Sequence, residues 1–417
     1  VIRRRLEYCS GSTPGAIMVV LSISTLLFCT KCEVGPRRDL RATEIPSPAW
    51  TRSRVPNLAK GPDGSVFMSW VQANPDESHT LFFSRFGVKG AWSEPTEIAS
   101  GSNWIVNWAD FPAIAVTGRS GILASWLEDV EVGEDAYDIR LALSQDGGIS
   151  WSPSFPVHDD RSPTEHGFVS LVALADTLWG VFWLDGREMV SDDGGMTLRF
   201  ASVSTAGAVS DAVILDERTC ECCQTSAVHA ADGSLIVAYR DRGPDEARDI
   251  SVVRHTGNAW SGPHPIHRDD WRIAGCPVNG PAIASQDSLI AISWFTLGSA
   301  SQPTVFTAFS ADCGASFDVP VRVDLGDPLG RVNVAFLDDH SVVSCWLELM
   351  GDSTMIMARR VDRQGTLSKP LRVAQTSQDR ASGFPRMATC QTGVLLVWTE
   401  IGERQLVKTA VIAVEGS

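Results

Sequence analysis

Ser144-Gln145-Asp146-Gly147-Gly148-Ile149-Ser150-Trp151 follows an apolar, strand-like run from Ile139 to Leu143 and reads S-x-D-x-G-x-S-W. Asp and Ser side chains in such a stretch bond nearby backbone N–H groups, Gly supplies a positive φ, and Trp packs beneath the turn. The stretch therefore folds a hairpin corner and is not itself a reaction centre. Ser310-Ala311-Asp312-Cys313-Gly314-Ala315-Ser316-Phe317 repeats it after the run Thr304 to Phe309. Two copies predict a repeat.

The period is found in the aromatics that close apolar runs: Trp70, Trp126, Trp183, Tyr239, Trp294, Trp346 and Trp398, spaced by 52 to 57 residues. Upstream of these lie short segments such as Val55-Pro56-Asn57, Phe111-Pro112-Ala113 and Phe384-Pro385-Arg386, then a turn such as Pro62-Asp63-Gly64. A third strand and a degenerate copy of the corner follow, as in Ser84 to Trp92, Arg254 to Trp260 and Val361 to Leu367. Short strands at this spacing, with no helix-period stretch of useful length, predict an all-β propeller of four-stranded blades. Seven blades fit the count; six plus a divergent module is the alternative. The last unit ends one strand short at Leu406 to Val414, and an orphan strand at Ala42 to Pro46 is positioned to complete it by exchange between the termini, which removes an exposed edge.

The 417 residues then form one propeller over 42–417, with 29–41 as a linker. Arg3-Arg4-Arg5 precedes a 13-residue apolar run, Ala16 to Phe28, too short to span a bilayer and typical of an export signal over 1–28. Export predicts a periplasmic, secreted or cell-surface protein, with Cys29 as the site of an alternative lipid anchor and the only route to a membrane. The chain reads as a monomer. Its formal net charge of −15 speaks against a nucleic-acid partner, since phosphate binding needs a basic face.

The S-x-D-x-G-x-S-W corners resemble the Asp-boxes of the sialidase superfamily, and the resemblance runs from about residue 50 to the end. It implies an active site at the central funnel, formed where inner strands begin and second strands end. Arg54-Val55-Pro56 resembles the family segment whose Arg clamps a sugar carboxylate, and Arg240 in Tyr239-Arg240-Asp241-Arg242 matches a second clamp Arg. Arg331, Arg380 and Arg386 compete for the third. Asp76, beside Glu77, occupies the loop of the family's acid/base. Gln224 stands 16 residues before Arg240, where the family has a Glu that activates a tyrosine nucleophile, so it is kept as a substrate-binding position and not a base. The segment Gly330 to Asn333 lacks the tyrosine, and Tyr8, Tyr137 and Tyr239 are the only three in the chain. A two-carboxylate or direct-water route is left. Its acids come from the set two residues beyond the period aromatics, Glu128, Asp185, Asp241, Glu348 and Glu400, of which Glu348 and Asp241 are the candidates beside Asp76. The bland reading of that set is solvated or Arg-paired strand ends.

Cys220-Glu221-Cys222-Cys223-Gln224 and Gly275-Cys276-Pro277-Val278-Asn279-Gly280 begin the inner strands of adjacent blades, so both approach the funnel. Three readings stay open: a disulfide from Cys276 to Cys222 or Cys223, a copper or zinc thiolate site on Cys220, Cys222, Cys223 and Cys276 with His166 as an extra ligand, or unpaired thiols. No cofactor is required by the sequence. Two functions follow. One is an exported protein that binds, and hydrolyses, an anionic sugar in its funnel; the other is a non-catalytic propeller that binds a glycan, a partner or a metal.

Overall fold

A computed structural model describes residues 38–415 except 119, 131–135, 192–193 and 258. The signal read over 1–28 and the lipid-anchor site at Cys29 lie outside the described residues. The described chain forms seven antiparallel four-stranded blades, six of them built from strands in succession, with an extra two-residue strand, His264–Pro265, beside the third strand of blade 4. Blade 1 comprises Ser53–Lys60, Val66–Ala73, His79–Phe86 and Thr96–Gly101. The inner strands of blades 2 to 6 are Ala113–Val116, His166–Ala175, Ser226–His229, Ala282–Gln286 and Pro328–Phe336. Blade 7 starts at Arg386–Cys390 and takes its outermost strand, Leu40–Ile45, from the other end of the chain. That strand pairs with Leu406–Val414 from Leu40↔Val414 to Ile45↔Thr409. Closure by strand exchange is therefore as the sequence predicts, beginning two residues earlier, at Leu40.

All seven period aromatics are buried, where they fill the wedge between neighbouring blades. Both S-x-D-x-G-x-S corners fold alike. Asp146 Oδ1 accepts from the backbone N–H of Ile149 and Ser150 at 3.0 and 2.9 Å, and Asp312 Oδ1 accepts from Ser316 at 2.9 Å. Gly148, at φ 90°, lies so close to Phe83 of blade 1 that a Cβ would come within 2.3 Å of its ring. Trp151 meets the same Phe83 edge-on at 6.1 Å, so the corner of one blade is seated on its neighbour.

A second repeated device was not read from the sequence. In blades 1, 4 and 6 the Asp of the first turn (Asp63, Asp232, Asp339) caps the Ser two residues on and pairs with an Arg of the third strand (Arg85, Arg254, Arg360).

Candidate functional site

The inner strands run in one sense, so their first residues gather at one end of the axis, the upper end. A channel of about 330 Å³ follows the axis and is lined by all seven inner strands. Its wall is mostly small and aliphatic. The charged groups among its lining residues are Arg386 at the upper end and Lys60 at the lower, and no Asp or Glu is among them. For a chain with a net charge of −15 this is a local reversal of sign.

Polar side chains bond the blades together around the upper end. Arg386 Nε donates to Asn57 Oδ1 at 3.0 Å, and Asn57 Nδ2 donates to Pro112 O at 3.2 Å, which joins blades 7, 1 and 2. The Arg386 guanidinium lies 4.7 Å over Phe111, and burial lowers its pKa to about 10. Phe111 packs on Phe384, Phe384 stacks on Trp108 at 5.7 Å, and Arg331 lies 4.8 Å over Trp108. Two arginines thus flank a run of three packed aromatics along one side of the mouth.

Near the start of four inner strands lies a residue at positive φ: Val55 (47°), Phe168 (54°) and Arg331 (51°) within the strand, and Val278 (47°) in the segment leading into Ala282–Gln286. For a β-branched residue such as Val this is a strained conformation. In blades 1, 3 and 6 the register also slips here, between Arg54 and Asn57, Gly167 and Ser170, and Gly330 and Asn333. Each slip is a bulge that re-aims the residues ahead of it.

Arg54, just ahead of one bulge, is half-buried, and its Nη2 lies 2.8 Å from His79 Nε2. No carboxylate is paired with it among the described residues, and its buried Nε has no hydrogen-bond partner. Burial, then the Arg54 charge, lowers the pKa of His79, so the imidazole is neutral and leaves the guanidinium charge uncompensated.

The other arginines of the expected clamp are differently employed. Arg240 is 1% exposed and donates to the carbonyls of Asn279, Arg248 and Phe295 at 2.6–3.0 Å, with Trp271 against its face. Arg331 donates to Asp379 O, Gly383 O, Gln378 O and Ser382 Oγ. Both brace loops. Arg380 is exposed on the short 3₁₀ turn that Arg331 holds. Arg386 alone of the three alternatives lines the channel.

The candidate acids are also separated by their surroundings. Asp76 is exposed, and the Oγ and N–H of Ser78 bond it at 2.7 and 3.2 Å and lower its pKa, which holds the anion and not the acid form. Glu348 is buried and accepts from the Trp346 indole and from the N–H of Leu325 and Asp327 at 3.3 and 2.8 Å. Trp126 donates likewise to Glu128 at 2.9 Å and Trp183 to Asp185 at 2.8 Å. Residues i and i+2 share a strand face, which puts indole and carboxylate side by side. Three of the five rim acids are therefore partners of their own blade's tryptophan. Asp241 accepts from Ser251 Oγ and Arg242 N, and burial with the nearby Asp216 raises its pKa to about 6. Glu400 is exposed.

The acid that sequence reasoning missed is Asp110, next to Phe111 of the upper mouth. It is 3% exposed, its Oδ2 has no hydrogen-bond partner, and burial pushes its pKa up to about 7, with the charge of Glu165 adding to the rise. Gly167 makes room for it, since a Cβ there would fall 2.0 Å from Oδ2.

The Cys220 and Cys276 segments meet as their blade positions require. Asn279 N lies 3.4 Å from Cys223 Sγ, and Gln224 Oε1 accepts from Gly280 N at 3.0 Å. Gln224 is thereby a buried latch between blades 4 and 5. Cys220 Sγ lies 4.0 Å from Cys222 Sγ and 3.4 Å from Cys223 Sγ, and Arg248 Nη1 reaches it at 3.1 Å. Bonds from the two neighbouring thiols, then the Arg240 and Arg248 charges, lower the Cys220 pKa. Cys276 is exposed and stands apart from this group, and all four thiols are free. His166 belongs to a different cluster, with Asp138 and His158.

No protein-family model matches the chain, and no curated protein matches it. Solved structures do. A protein of unknown function from Dyadobacter fermentans superposes with a TM-score of 0.53 at 12% identity, covering 90% of this chain and 100% of its own. The polysaccharide lyase Uly1 gives 0.51 at 10% identity over 86% of this chain and 89% of its own. A Hadza microbial sialidase gives 0.49 at 13% identity, covering 81% and 73%. At such identities the likeness establishes the fold alone, a seven-bladed propeller, and leaves the chemistry to the site.

Proposed function

We propose that the protein binds a carboxylate-bearing sugar end in the upper part of its channel. The observation that carries this is the sign of the site: in an acidic chain, a channel with no lining carboxylate, capped by Arg386, below an Arg54 that no carboxylate neutralises. Its volume suits about one sugar ring, at the small end of ligand cavities. Arg386 and Asn57 take the anionic group, Arg54 receives the ligand at the mouth, and the half-buried Trp108 borders it. Export, which the apolar run at 16–28 supports, gives such a protein access to glycans.

Hydrolysis is the further part of the proposal. Asp110 is the proton donor, because it is the carboxyl kept protonated near neutral pH beside the mouth, whereas Asp76 remains a rim anion. With no tyrosine in the Gly330–Asn333 segment, attack falls to water or to a second carboxylate. Release of fluorophore from aryl sialosides and aryl uronosides tests it. Turnover that disappears in Asp110→Asn and persists in Asp76→Asn is expected; turnover untouched by Asp110→Asn would refute the assignment, and no turnover from any acidic glycoside would leave a binding protein.

The thiol cluster supports a second, compatible reading. Three sulfurs around one point, with Arg248 Nη1 3.1 Å from one of them, form a soft donor set suited to copper(I) or zinc. Metal analysis with thiol titration checks it: one equivalent of bound metal that Cys222→Ser removes is expected, and three freely titrating thiols with no metal content that depends on Cys222 would exclude it.

A further inference from the structure

Where blade 2 passes to blade 3, four side chains from three segments converge below the surface. Asp138 lies on the third strand of blade 2, Tyr137–Ser144; His158 and Asp160 lie on the crossing; His166 is the first residue of the inner strand of blade 3. His166 is fully buried and His158 is 7% exposed. Neither ring makes a well-aligned hydrogen bond through either nitrogen, although each buried imidazole carries a donor and an acceptor that burial makes costly to leave unmet. Two such rings, stacked with centroids 4.1 Å apart, need a partner that can serve both.

The donor spacing supplies one. Asp138 Oδ1 lies 3.5 Å from His166 Nδ1 and 3.7 Å from His158 Nε2, and one ligand atom from each of the three falls within 4.8 Å of the others. Nitrogen and oxygen ligands at roughly 2.0–2.2 Å from a tetrahedral zinc stand about 3.3–3.6 Å from one another. We propose that Asp138, His158 and His166 bind a first-row divalent cation, zinc being the best fit, as a staple between blades 2 and 3. The surroundings match what such a site needs. His166 Nε2 faces Asp160 Oδ2 at 3.1 Å and Asp185 Oδ1 at 3.6 Å, the carboxylate support that orients a ligating imidazole. A nitrogen and carboxylate donor set excludes calcium and magnesium, which take oxygen ligands, and differs from the sulfur-only cluster of blade 4. The staple is independent of the sugar reading.

The test compares zinc content of the full-length protein, equilibrated with zinc and freed of excess, with that of His158→Asn/His166→Gln. The wild type is expected to hold one equivalent more, whatever the thiol cluster holds, with the same far-ultraviolet dichroism in both. Equal zinc in two folded proteins, or no zinc in the wild type, overturns the proposal. If the double variant does not fold, the zinc X-ray absorption of the wild type decides. A nitrogen and oxygen shell at about 2.0 Å with imidazole scattering supports the site, and a sulfur-only shell at about 2.3 Å overturns it.

Discussion

Arg54 and Asp110 carry the functional account at the scale of single residues, and each has a separable signature. Arg54→Ala removes a charged donor without unsatisfying any carboxylate, so folding is retained while affinity for an acidic sugar falls. Loss of about 1.5–3 kcal/mol, or roughly 10- to 100-fold in Kd, is expected by calorimetric titration, whereas Asp76→Asn stays within about twofold. Asp110 has a folded pKa near 7, above its unfolded value, so the stability it confers is complete below about pH 4 and is lost as pH rises through 7. Asp110→Asn, which cannot ionise, is therefore expected to gain on the wild type between pH 5 and 8. The gain is on the order of 1–4 kcal/mol in urea denaturation; parallel pH profiles would contradict the assignment. Arg54 could be found from its segment Arg54-Val55-Pro56. Asp110 could not, since its protonation depends on Gly167 and Glu165 of the next blade, more than 50 residues away, and only the recurring start Phe111-Pro112 hinted that it borders the mouth.

Among elements, the corner and the strand-end pair show what local spacing reveals. The Asp-box corners were legible because the bonds of their Asp and Ser side chains are made within five residues. The W-x-D/E spacing was legible as a set of rim acids, but their role was not, because the indole N–H that occupies them becomes visible only when both face the same way. Glu348→Ala leaves the Trp346 indole and two backbone N–H groups without an acceptor. It is expected to cost about 2–4 kcal/mol in denaturant melts, while Glu348→Gln, which keeps an acceptor, costs about 1. A catalytic Glu348 would show the reverse pattern: full stability in both variants and activity lost in both. The arginines teach the same lesson. Arg331 and Arg386 both lie near the start of inner strands, yet Arg331, like Arg240, is spent on carbonyls of neighbouring loops while Arg386 faces the channel, a distinction set by long-range packing.

For the whole molecule, periodicity made the ring and its closure readable from the chain alone, because seven similar wedges have one way to bury their aromatics. Closure rests on Leu40–Ile45, which pairs with Leu406–Val414. Deleting residues 38–46 is expected to expose the edge of blade 7, lower Tm and promote aggregation, with an unchanged melting curve as the contrary result. What periodicity could not convey is the inversion of charge on the axis, since lining residues come from every blade and their sum appears only in the closed ring. The central claim is that this inversion selects an acid. Its most direct test is calorimetric titration of the wild type and Arg386→Gln with the methyl glycosides of a sialic acid and a uronic acid and with their methyl esters. At least one free acid should bind the wild type tenfold or more tighter than its ester, a preference that rising salt and Arg386→Gln both reduce; equal binding of acid and ester, or binding of neither acid, would contradict the account.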